Sequence, residues 1–193
     1  MLITSLALAS VIVLTAVDEK PLVCPMMGEA VAKDAPVVEY AGTSYAFCCA
    51  GCDTRFAKDP TAAIKKNQKI EKDRPTIGLF LFDPVSRNRI LAKDAKATVD
   101  YSGVRYNFES AANLEAFNKD AKKYASAPRK ESLTCPVTGK AIASYSKASS
   151  YVNYKDVRYY FYCAGCEPAF NKDPDKYAGK KVGGPKAIPQ KAG

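Results

Sequence analysis

Seven cysteines and no histidine define the chemistry open to this chain. Two cysteines form Cys49-Ala50-Gly51-Cys52, two more form Cys163-Ala164-Gly165-Cys166, and each pair lies downstream of a Cys-Pro step, Cys24-Pro25 or Cys135-Pro136. Cys48 is the seventh. A CxxC spacing on one tight turn presents two sulfurs to a single tetrahedral ion, and a cysteine arriving from a second turn adds a third. The same thiols can instead oxidise to structural disulfides or cycle as a dithiol. The missing histidine removes Ser-His-Asp and Cys-His catalysis, imidazole bases, Cys2His2 zinc fingers, CxxCH haem attachment and every His-ligated metal site.

These cysteines sit in an internal repeat. Tyr40, Tyr45, Phe47, Cys49, Cys52, Phe56 and Asp59 recur at a constant offset of 114 as Tyr154, Tyr159, Phe161, Cys163, Cys166, Phe170 and Asp173. A further version lies between them at an offset of 61, with Tyr101, Tyr106, Phe108, Phe117 and Asp120 in the matching places. It has no cysteine: Asp83, Glu109, Ser110 and Asn113 stand where Cys24, Cys48, Cys49 and Cys52 stand in the first copy. The expected organisation is therefore a module at 20–66, a cysteine-free one at 79–126 and a third at 133–178, joined by polar linkers at 66–74 and 126–131.

Each copy reads as the same local structure, which gives an α+β fold class of three tandem small ββα modules. Val37 to Tyr40, a turn at Ala41-Gly42, and Ser44 to Phe47 predict a β-hairpin with Tyr45 and Phe47 on one face. The CxxC then falls where the second strand ends and a helix begins, and a helix N-terminus lowers the pKa of thiols placed there. Asp59-Pro60 predicts an N-cap and first helical residue for a further short helix. The recurring Tyr and Phe form the small core expected of such a unit. About 45 residues bury too little apolar surface to be comfortable alone, and domains of that size usually add disulfides or a metal.

The motifs CP(M/V)xG, YxGxxYxFCCxxC and FxKDP resemble the YHS domain and the related TRASH domain, small cysteine-containing modules associated with heavy-metal trafficking, resistance and sensing. The resemblance covers 22–66 and 133–178, and 81–126 as a cysteine-free relative. In the usual pattern an FC step is followed by a second Cys four positions later, which maps onto Cys48 and Cys52, whereas the third copy has Tyr162 where Cys48 stands. Cys49, whose counterpart is present in both copies, is the favoured ligand, with Cys48 a fourth ligand or partner thiol. The histidine for which the YHS domain is partly named is absent, so oxygen-activating metal chemistry is not implied.

The metal ligands expected are Cys24, Cys49 and Cys52, with Cys48, in the first copy, and Cys135, Cys163 and Cys166 in the third. Thiolate sites without imidazole suit Zn(II), Cu(I) or Cd(II), and Met26 and Met27 beside Cys24 either add soft thioethers that favour Cu(I) or fill gaps in the core. The third copy, with Val137, Thr138 and Tyr162 in the corresponding places, leaves its fourth position to water, a partner's group or an oxygen donor such as Glu167. Asp83, Glu109, Ser110 and Asn113 offer only hard donors, so no soft-metal site is expected in the middle copy. The competing readings are a disulfide-stapled interaction protein, pairing Cys24 with Cys49 or Cys52 and Cys135 with Cys163 or Cys166, and a CxxC dithiol oxidoreductase, which lacks the usual βαβ surroundings. The leading expectation is a metal-binding protein that is not an enzyme.

Residues 1 to 16 are an uncharged apolar run ending before Asp18-Glu19-Lys20. Its length suits a signal peptide over 1–17 better than a membrane span, with an uncleaved anchor as the alternative. Export implies a periplasmic or secreted protein whose partners are a soft metal ion and a protein that donates or accepts it. The net charge is +9, and Lys180, Lys181, Lys186 and Lys191 concentrate part of it in residues 179–193, which read as a loose basic tail. Nucleic acid is not expected as a partner.

Overall fold

The structure, a computed structural model, describes residues 20–179 and 181–190. The signal segment expected over 1–17 lies outside them. In chain order the elements are β1 (Val37–Tyr40), β2 (Thr43–Ala46), α1 (Cys52–Lys58), α2 (Pro60–Gln68), β3 (Gly78–Phe80), β4 (Ala97–Tyr101), β5 (Val104–Phe108), α3 (Ala111–Lys119), α4 (Ala121–Ala125), β6 (Lys130–Ser132), β7 (Ser150–Tyr154), β8 (Val157–Phe161), α5 (Cys166–Lys172), α6 (Pro174–Tyr177) and β9 (Ile188–Gln190). The class is mixed α+β.

A hairpin followed by two short helices occurs three times, and local chemistry explains each part. The hairpin turns place both central residues at positive φ: Ala41 and Gly42, Ser102 and Gly103, Lys155 and Asp156. That is the turn whose twist matches two paired strands. Asp59, Asp120 and Asp173 cap the second helix of each pair, accepting from the backbone N–H of Ala62, Lys123 and Lys176 at 3.0, 3.1 and 3.3 Å. A buried phenylalanine on the first helix meets at least two hairpin rings: Phe56 lies 4.7 Å from Tyr45 and 5.3 Å from Phe47, Phe117 lies 5.1 Å from Tyr106 and 5.4 Å from Phe108, and Phe170 lies 5.3 Å from Tyr159 and 5.5 Å from Phe161. Such ring contacts fasten helix to hairpin with little other core.

The hairpins share sheets rather than standing apart. One six-stranded sheet runs β4-β5-β3-β2-β1-β9, and a three-stranded sheet runs β6-β8-β7. β3 joins the first two hairpins by pairing antiparallel with β2 and parallel with β5, and β6 pairs parallel with β8. A Cβ at Gly42, in the first hairpin's turn, would lie 3.0 Å from the Tyr160 hydroxyl and 3.1 Å from the Phe80 ring, so the close approach itself requires glycine there. The second and third hairpins bury a common cluster that includes Phe80, Phe82, Tyr106, Tyr151 and Tyr160, while the first has its own around Val38, Tyr45, Phe47 and Phe56.

Of the tail expected to be loose, the described residues 181–190 are folded back. Glu131 and Gly183 exchange two backbone hydrogen bonds of 2.8 and 2.9 Å, the Lys186 N–H donates to the Tyr145 hydroxyl at 3.1 Å, and β9 pairs antiparallel with β1. An open strand edge offers unpaired backbone groups, and the tail satisfies them. β6 likewise begins inside the stretch expected to be a polar linker.

Candidate metal centre

The centre is built from two pieces of chain, and the first is the Cys-Pro turn. Cys24 N–H donates to the Glu29 carbonyl at 2.8 Å, and Gly28 N–H donates back to the Cys24 carbonyl at 2.8 Å. Gly28 sits at φ 78. The turn at Cys135 repeats these bonds with Lys140 and Gly139, both at 2.8 Å. So does the turn at Asp83, with Asn88 at 2.9 Å and Arg87 at 2.8 Å. In all three the leading side chain is fully buried. The turn aims whatever side chain heads it at the same place, between hairpin and helix.

The second piece is the bend after β2 that leads into α1, and it brings Cys48 and Cys52 to Cys24. The three sulfurs all lie within 4.8 Å of one another. Tetrahedral zinc with sulfur at about 2.3 Å sets neighbouring sulfurs about 3.8 Å apart, so little movement would close the trio on one ion. Cys49 lies outside the trio, with its Sγ 2.9 Å from that of Cys52. Of these four cysteines Cys24 and Cys52 are buried, Cys48 is half-buried and Cys49 is exposed. The structure thus assembles Cys48, rather than the favoured Cys49, with the other two. The chain leaves the strand at Ala46 and bends through Cys48 and Cys49, so strand alternation does not decide which sulfur points inward.

Within the cluster Cys48 holds its proton tightly, and an arriving cation would have to displace it. Desolvation, followed by hydrogen bonding to Cys24 and Cys49, pushes the Cys48 thiol up to about 12, so a second and third negative sulfur are costly without a counter-charge. Arg55 supplies part of it. Its Nη2 is 3.4 Å from Cys52 Sγ and 4.0 Å from Met27 Sδ, and the hydrogen bond to Cys52 raises the guanidinium pKa. Sequence reasoning missed Arg55. The available signal was its place three residues after Cys52, where the third copy has Ala169. Met26 packs against the first core cluster, whereas Met27 is 57% exposed.

The third segment differs from what was expected of it. Cys163 and Cys166 form a disulfide across a Cα separation of 5.4 Å, and so are not free to ligate with Cys135. Nor is this either of the expected pairings with Cys135, or the kind expected for Cys24. Cys135 is a buried free thiol. Desolvation pushes its pKa up, but hydrogen bonds from the Thr138 side chain and the backbone of Tyr162, Thr138 and Val137 outweigh it, and the net shift is downward. Glu167, expected as an oxygen donor, is instead paired with Arg87 at 3.0 Å. Tyr162 is exposed, with the Lys140 ammonium 4.8 Å from its ring centroid.

In the middle segment hydrogen bonds fill the same place. Asp83 Oδ1 accepts from the N–H of Val85 at 2.8 Å and of Ser86 at 3.1 Å. Its Oδ2 accepts from Glu109 N–H at 2.8 Å and Asn113 Nδ2 at 2.7 Å. Ser110 caps α3 by accepting from Asn113 N–H at 3.2 Å. The carboxylate is satisfied by four donors of its own chain.

No protein-family model, no curated protein and no solved structure matches this chain. Among the described residues, no helix is long and apolar enough to cross a membrane. What the cluster can do follows from its own chemistry: three thiols beside a guanidinium, with no imidazole in the chain, suit a soft ion.

Proposed function

We propose that this chain is an exported soft-metal-binding protein that holds one Zn(II) or Cu(I) ion through Cys24, Cys48 and Cys52 and takes part in metal trafficking or sensing. The observation that carries the reading is the meeting of three sulfurs, from a Cys-Pro turn and a bend some 24 residues later, within 4.8 Å of one another. Three thiolates leave a fourth coordination position to an incoming ligand, which suits handing the ion on. The resemblance to YHS and TRASH domains, the constant offsets of three tandem modules and the apolar run at residues 1 to 16 support the family, the organisation and the export. The chemistry is binding, and the chain is not an enzyme in this reading.

The third segment favours a second role beside the first. Its Cys163–Cys166 disulfide makes it a stapled structural unit, and the hydrogen-bonded Asp83 gives the middle segment a metal-free equivalent. Native mass spectrometry of the full chain with that disulfide intact should show one zinc per chain, lost in Cys24→Ser. No retained zinc, or one zinc retained undiminished by Cys24→Ser, would sink the assignment.

A further inference from the structure

The sequence Cys-Ala-Gly-Cys occurs twice, at the head of α1 and at the head of α5, and the two copies are in different chemical states. Cys163 and Cys166 are bonded to each other, while Cys49 and Cys52 are free thiols with their sulfurs 2.9 Å apart. The backbone differs at the glycine of each turn. Gly51 sits at φ 83 and ψ −11, in the left-handed region, whereas Gly165 sits at φ −74 and ψ −12, in the right-handed region. Glycine alone occupies both at similar cost. The following helices are each seven residues long and bury their phenylalanine in the same way. Cys49 is the one exposed thiol among the five free cysteines, and Cys52 belongs to the metal trio.

We propose that the Cys49-Ala-Gly-Cys52 turn is a thiol–disulfide switch that discharges the metal centre, with the second turn displaying its closed state. This deepens the proposed metal-binding reading and rests on it. The oxidant is a disulfide, either a small one or one borne by a partner protein. Cys49 loses its proton to solvent and its thiolate attacks the oxidant, forming a mixed disulfide and expelling one thiolate. Cys52 Sγ leaves the ion and attacks the Cys49 sulfur, expelling the second thiolate. Two cysteine sulfurs are oxidised to one disulfide, the oxidant is reduced to two thiols, and the ion keeps its oxidation state. Cys24 and Cys48 then remain as two ligands, too few for a tetrahedral thiolate site, and the ion departs. Gly51 rotates from its left-handed to its right-handed conformation as the turn closes, which makes it the hinge of the switch.

The hinge gives the switch a signature that sulfur chemistry alone lacks. A Cβ at Gly51 or at Gly165 meets nothing within 4 Å, so alanine there acts only through φ. Gly51→Ala disfavours the open, metal-holding turn by about tenfold relative to the closed one, while Gly165→Ala enters a conformation alanine readily adopts.

The test uses the full chain, loaded with zinc and titrated with mixtures of oxidised and reduced glutathione. Zinc release is read with a chromophoric chelator, and the pairing of sulfurs by alkylation, proteolysis and mass spectrometry. Cleavage at Lys33 separates Cys24 from Cys48, Cys49 and Cys52, and fragmentation of the 34–55 peptide shows which of those three escaped alkylation. The wild-type chain should release one zinc per Cys49–Cys52 disulfide formed. Cys49→Ser should keep its zinc at the oxidant ratio that empties the wild type, with the midpoint raised at least tenfold. Gly51→Ala should lower the midpoint about tenfold, and Gly165→Ala should leave it within twofold. Zinc release through a disulfide containing Cys24 or Cys48, release from Cys49→Ser at the wild-type midpoint, or an unmoved midpoint in Gly51→Ala would overturn the switch. A chain that binds no zinc when these thiols are reduced fails at loading, and that outcome overturns the metal reading itself.

Discussion

The turns at Cys49–Cys52 and Cys163–Cys166 have the same four residues, follow equivalent hairpins and begin helices of the same length, yet one joins a three-sulfur cluster and the other is a closed disulfide. The surroundings make the difference. The first turn has Cys48 before it and Arg55 after it, so a third sulfur and a positive charge hold Cys52 toward Cys24. The second has Tyr162 and Ala169 at those places, and Glu167 is drawn away to Arg87. A CxxC motif therefore specifies two sulfurs on one turn, while its neighbours decide whether they meet an ion or each other. The middle segment adds a third solution, a carboxylate saturated by backbone and side-chain donors.

If these are three ways of holding one joint, breaking them should have graded effects. The largest is expected at Asp83, since Asp83→Ala leaves four donors without an acceptor in a fully buried place. A loss of about 3 kcal/mol or more is expected, read as a lower urea midpoint with unchanged slope. A change under about 0.5 kcal/mol would show that the joint does not depend on the carboxylate.

Next in size is the conversion of one turn into the other. Under reducing conditions Tyr162→Cys supplies the sulfur that the third segment lacks, close to Cys135, whose thiol already accepts a hydrogen bond from the Tyr162 backbone. The variant should bind a second zinc about a hundredfold more tightly than the reduced wild-type chain does, measured by competition with a chromophoric chelator. An unchanged second equivalent would mean that the two segments are not equivalent around their cysteines.

A smaller effect is expected from the charge. Arg55→Ala should weaken zinc binding about fivefold, as expected for loss of one partly exposed charge-assisted contact, and Arg55→Lys should restore part of it. The same competition assay reads both. Equal binding by all three would show that the guanidinium only covers the site.

The smallest effect sharpens the contrast from the side of the fold. Glu131, which lies four residues before Cys135 where the first segment has Lys20 before Cys24, has its pKa raised by desolvation despite hydrogen bonds from Tyr145, the Lys186 backbone and Tyr160. The folded state therefore holds this proton more tightly than the unfolded chain, so stability declines as pH rises from the ordinary carboxylate value through the raised one. Glu131→Gln, which can still accept from Tyr145, should lack that decline. Urea midpoints of both proteins between about pH 4 and 7 would show it, and parallel curves would refute it.

Much of the architecture was legible because it is local. The hairpins of Val37–Tyr40 with Thr43–Ala46 and their counterparts follow from alternating aromatics around a two-residue turn, and Asp59-Pro60 and Asp173-Pro174 each supply the cap and first residue of a helix. Strands β3, β6 and β9 were not legible. Each has three residues, too few for a periodic signal, and exists because a neighbouring edge offers hydrogen bonds. The basic tail looked loose for the same reason: nothing in its composition shows that Tyr145, Glu131 and the edge of β1 await it.

The amino-acid sequence by itself determined the chemical inventory: which turns carry sulfur, which carries a carboxylate, and that no imidazole takes part. These follow from residue type and short spacing, which hold whatever the rest of the chain does. Only the tertiary structure decided that Cys48 joins Cys24 and Cys52, that Arg55 stands over them, and that Gly51 and Gly165 take opposite signs of φ. Sulfur atoms pair or ligate within a few ångströms, and bends, glycine rotations and packing between distant segments set those distances.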